Sequence, residues 1–137
     1  MPTIPRWSWP KRKTPLARQQ LGTHSEALAR RFLTVHGYTV EAMNVRFPVG
    51  ELDVVAWDGQ TLCFIEVRAT SSLEWGGPLG SISDRKRQRL IRAARWYLQR
   101  LRGLPEEIRF DVVAVDWSAP EAPRLELIRA AFEVDSA

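Results

Sequence analysis

The sequence predicts an α/β fold in which a mixed five-stranded sheet is flanked by helices, in the order α-β-β-β-α-β-β. Three observations carry this expectation. Two stretches place apolar residues at helical spacing, five shorter runs have strand character, and Asp58-Gly59 lies between two of those runs as a hairpin turn.

A chain of 137 residues suits one hydrophobic core, so a single domain is expected over residues 16–137. Residues 1–15 contain Pro2, Pro5, Pro10 and Pro15, which remove backbone donors and interrupt helices, and they are expected to form an extended or disordered basic arm. Trp7 and Trp9 sit among its cations, placed either to stack on unpaired bases or to pack on the domain itself. No run of about 18 apolar residues occurs, which argues against a membrane span and makes a cytoplasmic protein the default. Cys63 is the only cysteine, which excludes an internal disulfide and any multi-cysteine zinc site.

The first helix is expected from Thr23, because Thr23-His24-Ser25-Glu26 has the form of a capping box. Leu28, Ala29, Phe32, Leu33 and His36 form its inward stripe, and Gly37 ends it. Glu26 extends that stripe at its N-terminal end, where it either caps the helix or looks into a site beside the core. Strand-like runs follow at Tyr38–Phe47, Glu51–Trp57 and Thr61–Arg68, and a glycine-rich loop at Leu73–Ile82. Ser83 is positioned to cap a second helix running to about Arg102, with Leu90, Ala93, Ala94, Tyr97, Leu98 and Leu101 facing inward. Strands at Arg109–Val115 and Arg124–Ala130 complete the chain.

Net charge is only +4, yet the charges are unevenly distributed. Residues 1–21 hold five cations and no acid, and Asp84–Arg102 holds eight cations against Asp84 alone. Two basic segments beside an acidic remainder suit a phosphate-binding surface around a metal-binding carboxylate cluster, with a solvated helix face as the competing reading. On the second helix, Lys86 falls on the inward side, while Arg85, Arg89 and Arg92 lie outside or on the flanks.

The hairpin fixes a register by arithmetic. A two-residue Asp58-Gly59 loop pairs Trp57 with Gln60, which sets Asp53 opposite Phe64 and Glu51 opposite Glu66. One face then carries Leu52, Val54, Ala56, Thr61, Cys63, Ile65 and Val67; the other carries Glu51, Asp53, Glu66 and Arg68 at one end. Carboxylates this close repel one another, and Mg²⁺ or Mn²⁺ would offset that repulsion by taking oxygen ligands from Asp53, Glu66 and Glu51. The competing possibility is a solvated hairpin end with hydrated acids. A metal held there suits phosphodiester hydrolysis, with Arg68 as a clamp and Lys86 as an additional phosphate contact.

Gly22, Glu26, Ala29, Leu33, Gly37, Asn44, Arg46, Gly50-Glu51-Leu52-Asp53, Phe64-Ile65-Glu66-Val67-Arg68, Lys86, Tyr97-Leu98 and Arg109-Phe110-Asp111-Val112-Val113 together resemble the YraN family. The likeness spans about Gly22 to Phe132. That family is similar to restriction-endonuclease-like PD-(D/E)xK nucleases, archaeal Holliday-junction resolvases in particular. The resemblance implies catalytic roles for Glu26, Asp53, Glu66 and Arg68, while the basic second helix puts Arg85, Lys86, Arg89 and Arg92 toward substrate. It also implies a Mg²⁺- or Mn²⁺-dependent nuclease acting on DNA, with branched intermediates and a homodimer as further expectations. Arg68 stands where the motif has lysine, which leaves metal and DNA binding in place but bears on turnover. A non-catalytic nucleic-acid-binding or scaffolding module with the nuclease fold is therefore the alternative.

Overall fold

The computed structural model describes residues 18–70 and 82–134, with side chains from residue 22 onward. The expected arm and nearly all of the Leu73–Ile82 loop lie outside the described residues. The elements are α1 (Arg18–Val35), β1 (Thr39–Phe47), β2 (Gly50–Asp58), β3 (Thr61–Thr70), α2 (Asp84–Leu98), β4 (Glu107–Asp116) and β5 (Arg124–Phe132). This is the expected order, and the five strands form one sheet in sequence order. All neighbours are antiparallel except β3 and β4, whose parallel pairing requires a crossover, and α2 lies within it.

Each face of the sheet is covered by one helix. On one side Leu28, Ala29, Phe32 and Leu33 of α1 pack on Val54, Ala56, Cys63, Ile65, Val113 and Val115. On the other, Leu90, Ala93 and Ala94 of α2 pack on Leu52, Val55, Leu62, Phe64 and Phe110. Phe110–Val115 are therefore buried without interruption, as befits a strand covered on both faces.

Helix ends depart from expectation in two places. α1 begins at Arg18, so Thr23 lies within the helix rather than capping it, and Glu26 is free of that duty. Its far end is as expected: Gly37 adopts φ +90°, Tyr38 N–H donates to Leu33 O at 3.0 Å, and Gly37 N–H donates to Thr34 O at 3.1 Å, a Schellman closure. Ser83 caps α2 by accepting from Lys86 N–H at 3.2 Å, and the helix ends at Leu98, four residues short of Arg102.

The hairpin register also differs. Asp58 pairs with Thr61, Trp57 with Leu62 and Val55 with Phe64, so Gly59-Gln60 forms the loop. Gly59 alone of the two has positive φ, at 62°, which fits a turn that needs glycine at its first central position. The slip is by two residues, so it leaves the faces of β3 unchanged.

A second irregularity does change faces. Leu52 packs toward α2 while Val54 packs toward α1, and across the ladder Val45 and Met43 divide likewise. Between them Asn44 takes φ +52°, a conformation asparagine tolerates better than most residues, and this re-phases both strands opposite Asp53. The expected alternation, with Leu52 and Val54 on one face and Glu51 and Asp53 on the other, is thus broken at Asp53.

Candidate functional site

The β2–β3 ladder stops at Val54–Ile65, whereas the β3–β4 ladder continues to Thr70. Asp53 and Glu66 are the next residues beyond that stop, at the point where β2 and β3 part. Asp53 Oδ2 accepts from Val67 N–H at 2.9 Å, taking a donor that the interrupted ladder leaves over. Its carboxyl also lies close enough to that of Glu66 to feel its charge. Burial pushes Asp53 up to about 8, and the neighbouring Glu66 charge adds to the effect while the Val67 N–H opposes it.

Glu66 is 5% exposed, and the Lys86 ammonium reaches it from the first turn of α2, with Nζ 2.7 Å from Oε1. Lys86 itself stays half in solvent, its stem lying along the protein and its head on the acid. Glu26 comes from α1. Its carboxyl is raised chiefly by burial, against a hydrogen bond with Asn44, with Glu51 and Glu66 adding repulsion and Arg46 offsetting some of it. The left-handed Asn44 therefore serves the site twice, re-phasing the strands and holding Glu26.

Glu51 does not join the pair. It faces Arg46, with 3.7 Å between Oε1 and Nε, because the break in alternation turns it away from Glu66. Among the described residues no three of His, Cys, Asp and Glu are grouped closely enough to form a metal cluster. What comes together is Asp53, Glu66 and Lys86, with Glu26 within electrostatic reach. Arg68 is half-buried on β3 two residues beyond Glu66, and Arg85, Arg89 and Arg92 are exposed along α2.

Gly50 sets the distance between α2 and this end of the sheet. A Cβ there would lie 3.1 Å from Arg89 O, so only glycine lets the helix backbone approach the start of β2. The inward position of Lys86 was readable from helical spacing. Its partner was not, because the segment joining β3 to α2 has no pattern that fixes helix rotation against the sheet. Asn44 could have been suspected as an asparagine in a strand, a residue depleted there and tolerant of positive φ.

The model of the uncharacterised protein family UPF0102 matches residues 25–115. Similar proteins include a UPF0102 protein of Desulfosudis oleivorans, 42% identical over 120 residues, covering 88% of this chain and 95% of its own length. One of Pseudomonas fluorescens is 45% identical over 116 residues, covering 84% of this chain and 94% of its own. One of Nocardia farcinica is 40% identical over 115 residues, covering 84% and 91% respectively. The span matched contains Glu26, Asn44, Gly50, Asp53, Glu66, Arg68, Lys86 and Asp111, the residues from which the site and its frame are built, and the chain belongs to the UPF0102 family, the YraN family to which its motifs pointed.

Proposed function

We propose that this protein is a divalent-metal-dependent endonuclease hydrolysing phosphodiester bonds in DNA, with branched or otherwise irregular molecules as substrates. The observation that carries the reading is the placement of Asp53 beside the buried Glu66 where β2 and β3 part, with the Lys86 ammonium 2.7 Å from Glu66. An Asp53 carboxyl that resists ionisation beside the Glu66 charge is short of positive charge, and the hard oxygens of the two acids suit Mg²⁺ or Mn²⁺. Asp53 and Glu66 would hold the ion, with main-chain oxygen and water completing its shell in place of Glu51. When bound, it supplies charge neutralisation and acidifies water.

The protein's own residues do the positioning. Lys86 is placed to hold the attacking water or a phosphate oxygen beside Glu66, a task for which a compact ammonium is better suited than the fixed fork of Arg68. Arg68 remains a phosphate clamp. In hydrolysis the water oxygen bonds to phosphorus, the bond from phosphorus to the leaving oxygen breaks, and the water proton passes to solvent while the leaving oxygen takes one up.

Junction, flap and single-stranded DNA incubated with the protein and Mg²⁺ or Mn²⁺ should be cut, and Asp53→Asn, Glu66→Gln and Lys86→Met should each lower the rate by at least about 100-fold. Cutting that is absent, or indifferent to all three changes, rejects the proposal. Arg68 favours one other reading, a binding module without turnover; salt-dependent DNA binding unaffected by Glu66→Gln, with no cut, would select it.

A further inference from the structure

We propose that α2 is a track for a single strand of nucleic acid ending on a base-stacking platform at Trp96, so that the substrate carries an unpaired stretch beside the bond at Glu66. This deepens the nuclease reading by naming its substrate class. At 3.6 residues per turn Arg85, Arg89, Arg92 and Trp96 fall within a roughly 60° arc of the helix surface. All four are exposed, and the arc runs along the flank where Lys86 turns inward to Glu66. The flank is about 16 Å long from Arg85 to Trp96, the length of a few nucleotides.

Trp96 is 39% exposed, an unusual position for so large an apolar surface on a helix lined with arginine. Its underside is fixed, because the ring rests on Phe47 with centroids 5.7 Å apart, tilted by 45°. Arg100 lies over the same Phe47 ring, 4.8 Å from its centroid. A rigid indole rimmed by guanidinium groups combines the two features by which single strands are held, stacking and phosphate neutralisation. Duplex DNA can use only the arginines, since its bases already stack on one another. A strand following the arc would bring a phosphate to Lys86 at one end and an unpaired base to Trp96 at the other.

The test is binding without metal, so that cleavage does not enter. Labelled oligo-dT and a duplex of equal length, in chelator and low salt, are titrated with wild type, Trp96→Ala and Trp96→Phe, with thermal melts checking that α2 remains folded. Trp96→Ala should weaken oligo-dT binding roughly 5- to 150-fold, while Trp96→Phe stays within a few-fold and duplex binding hardly moves. Equal affinity of wild type and Trp96→Ala for oligo-dT overturns the inference, as does equal loss for both ligands or an acidic peptide bound in preference to DNA. Trp96-dependent binding without metal-dependent cutting would leave the track standing and remove the nuclease; cutting that needs Asp53 but ignores Trp96 would do the reverse.

Discussion

Asp53 has a measurable consequence for pH. Its carboxyl is raised to about 8 by burial first and Glu66 second, whereas in the unfolded chain it ionises near 4. Below about pH 4 both states hold the proton and the site costs nothing. As pH rises from there through about 8 the unfolded chain gains charge that the folded one resists, so the metal-free protein loses stability across that window. Asp53→Asn removes the penalty, because the amide still accepts from Val67 N–H and donates to Glu66. It should stabilise the metal-free protein by roughly 1–3 kcal/mol at pH 8 and by almost nothing near pH 4, read from urea denaturation at the two pH values. A variant that is less stable than wild type at pH 8 would show that the pair is not short of positive charge. The pairing of Asp53 with Glu66 was legible in the sequence, since both motif acids lie at one end of one hairpin. The separation of Glu51 was not, because strict alternation was assumed through a strand that a left-handed Asn44 re-phases.

At the scale of elements, the site depends on how closely α2 lies against β2. Gly50 and Arg89 O mark the contact, and a methyl at 3.1 Å from that oxygen forces helix or strand to shift. Gly50→Ala should cost about 1–3 kcal/mol in urea denaturation and should also weaken Mn²⁺ binding, because it pushes α2, which carries Lys86, away from the strand that carries Asp53. Loss of stability with metal affinity intact would mean that the contact only packs the fold. Helices and strands were read correctly in kind and order, since each carries its own periodicity. Their ends were less legible: the Thr23 capping box lies within α1, and α2 stops at Leu98 although the pattern continues to Leu101. The turn moved by one residue, and the register with it by two, because Gly59 took the first turn position, which the dipeptide Asp-Gly does not decide by itself.

Across the whole molecule, a buried polar cluster adds directional bonds between elements that the apolar clusters also join. Asp111, 1% exposed, accepts from Arg109 Nε at 2.8 Å, from Tyr38 OH at 3.1 Å and from Ala130 N–H at 2.9 Å. Arg109 reaches on to Asp58 at 2.9 Å, so the Asp111–Arg109 pair joins the end of β2, the residue before β1, β4 and β5. Ala130 has φ +50°, in the stretch where β5 slips against β4, and the Asp111 carboxylate stands in for the ladder bond lost there. Asp111→Ala should cost about 3 kcal/mol, since it leaves a mostly buried guanidinium with Asp58 as its one carboxylate partner and Tyr38 OH as a neutral one, against about 1 kcal/mol for Tyr38→Phe. Comparable losses for the two variants in chemical denaturation would count against Asp111 as the centre of the cluster. The sequence marked Arg109 to Val113 by resemblance alone; nothing in its spacing linked Tyr38, Asp58 and Ala130, which are brought together only by the strand order.

Asp53 and Glu66 belong to the sheet and the ammonium beside them belongs to a helix. A strand register is locked by its ladder, whereas a helix turns by about 100° for each residue added before it. One inserted residue within the first turn of α2 would swing the amine aside while the carboxylates stay put. Sheet and helix are thus separately adjustable, and the place of the amine can change along α2 while the strands of Asp53 and Glu66 keep their pairing.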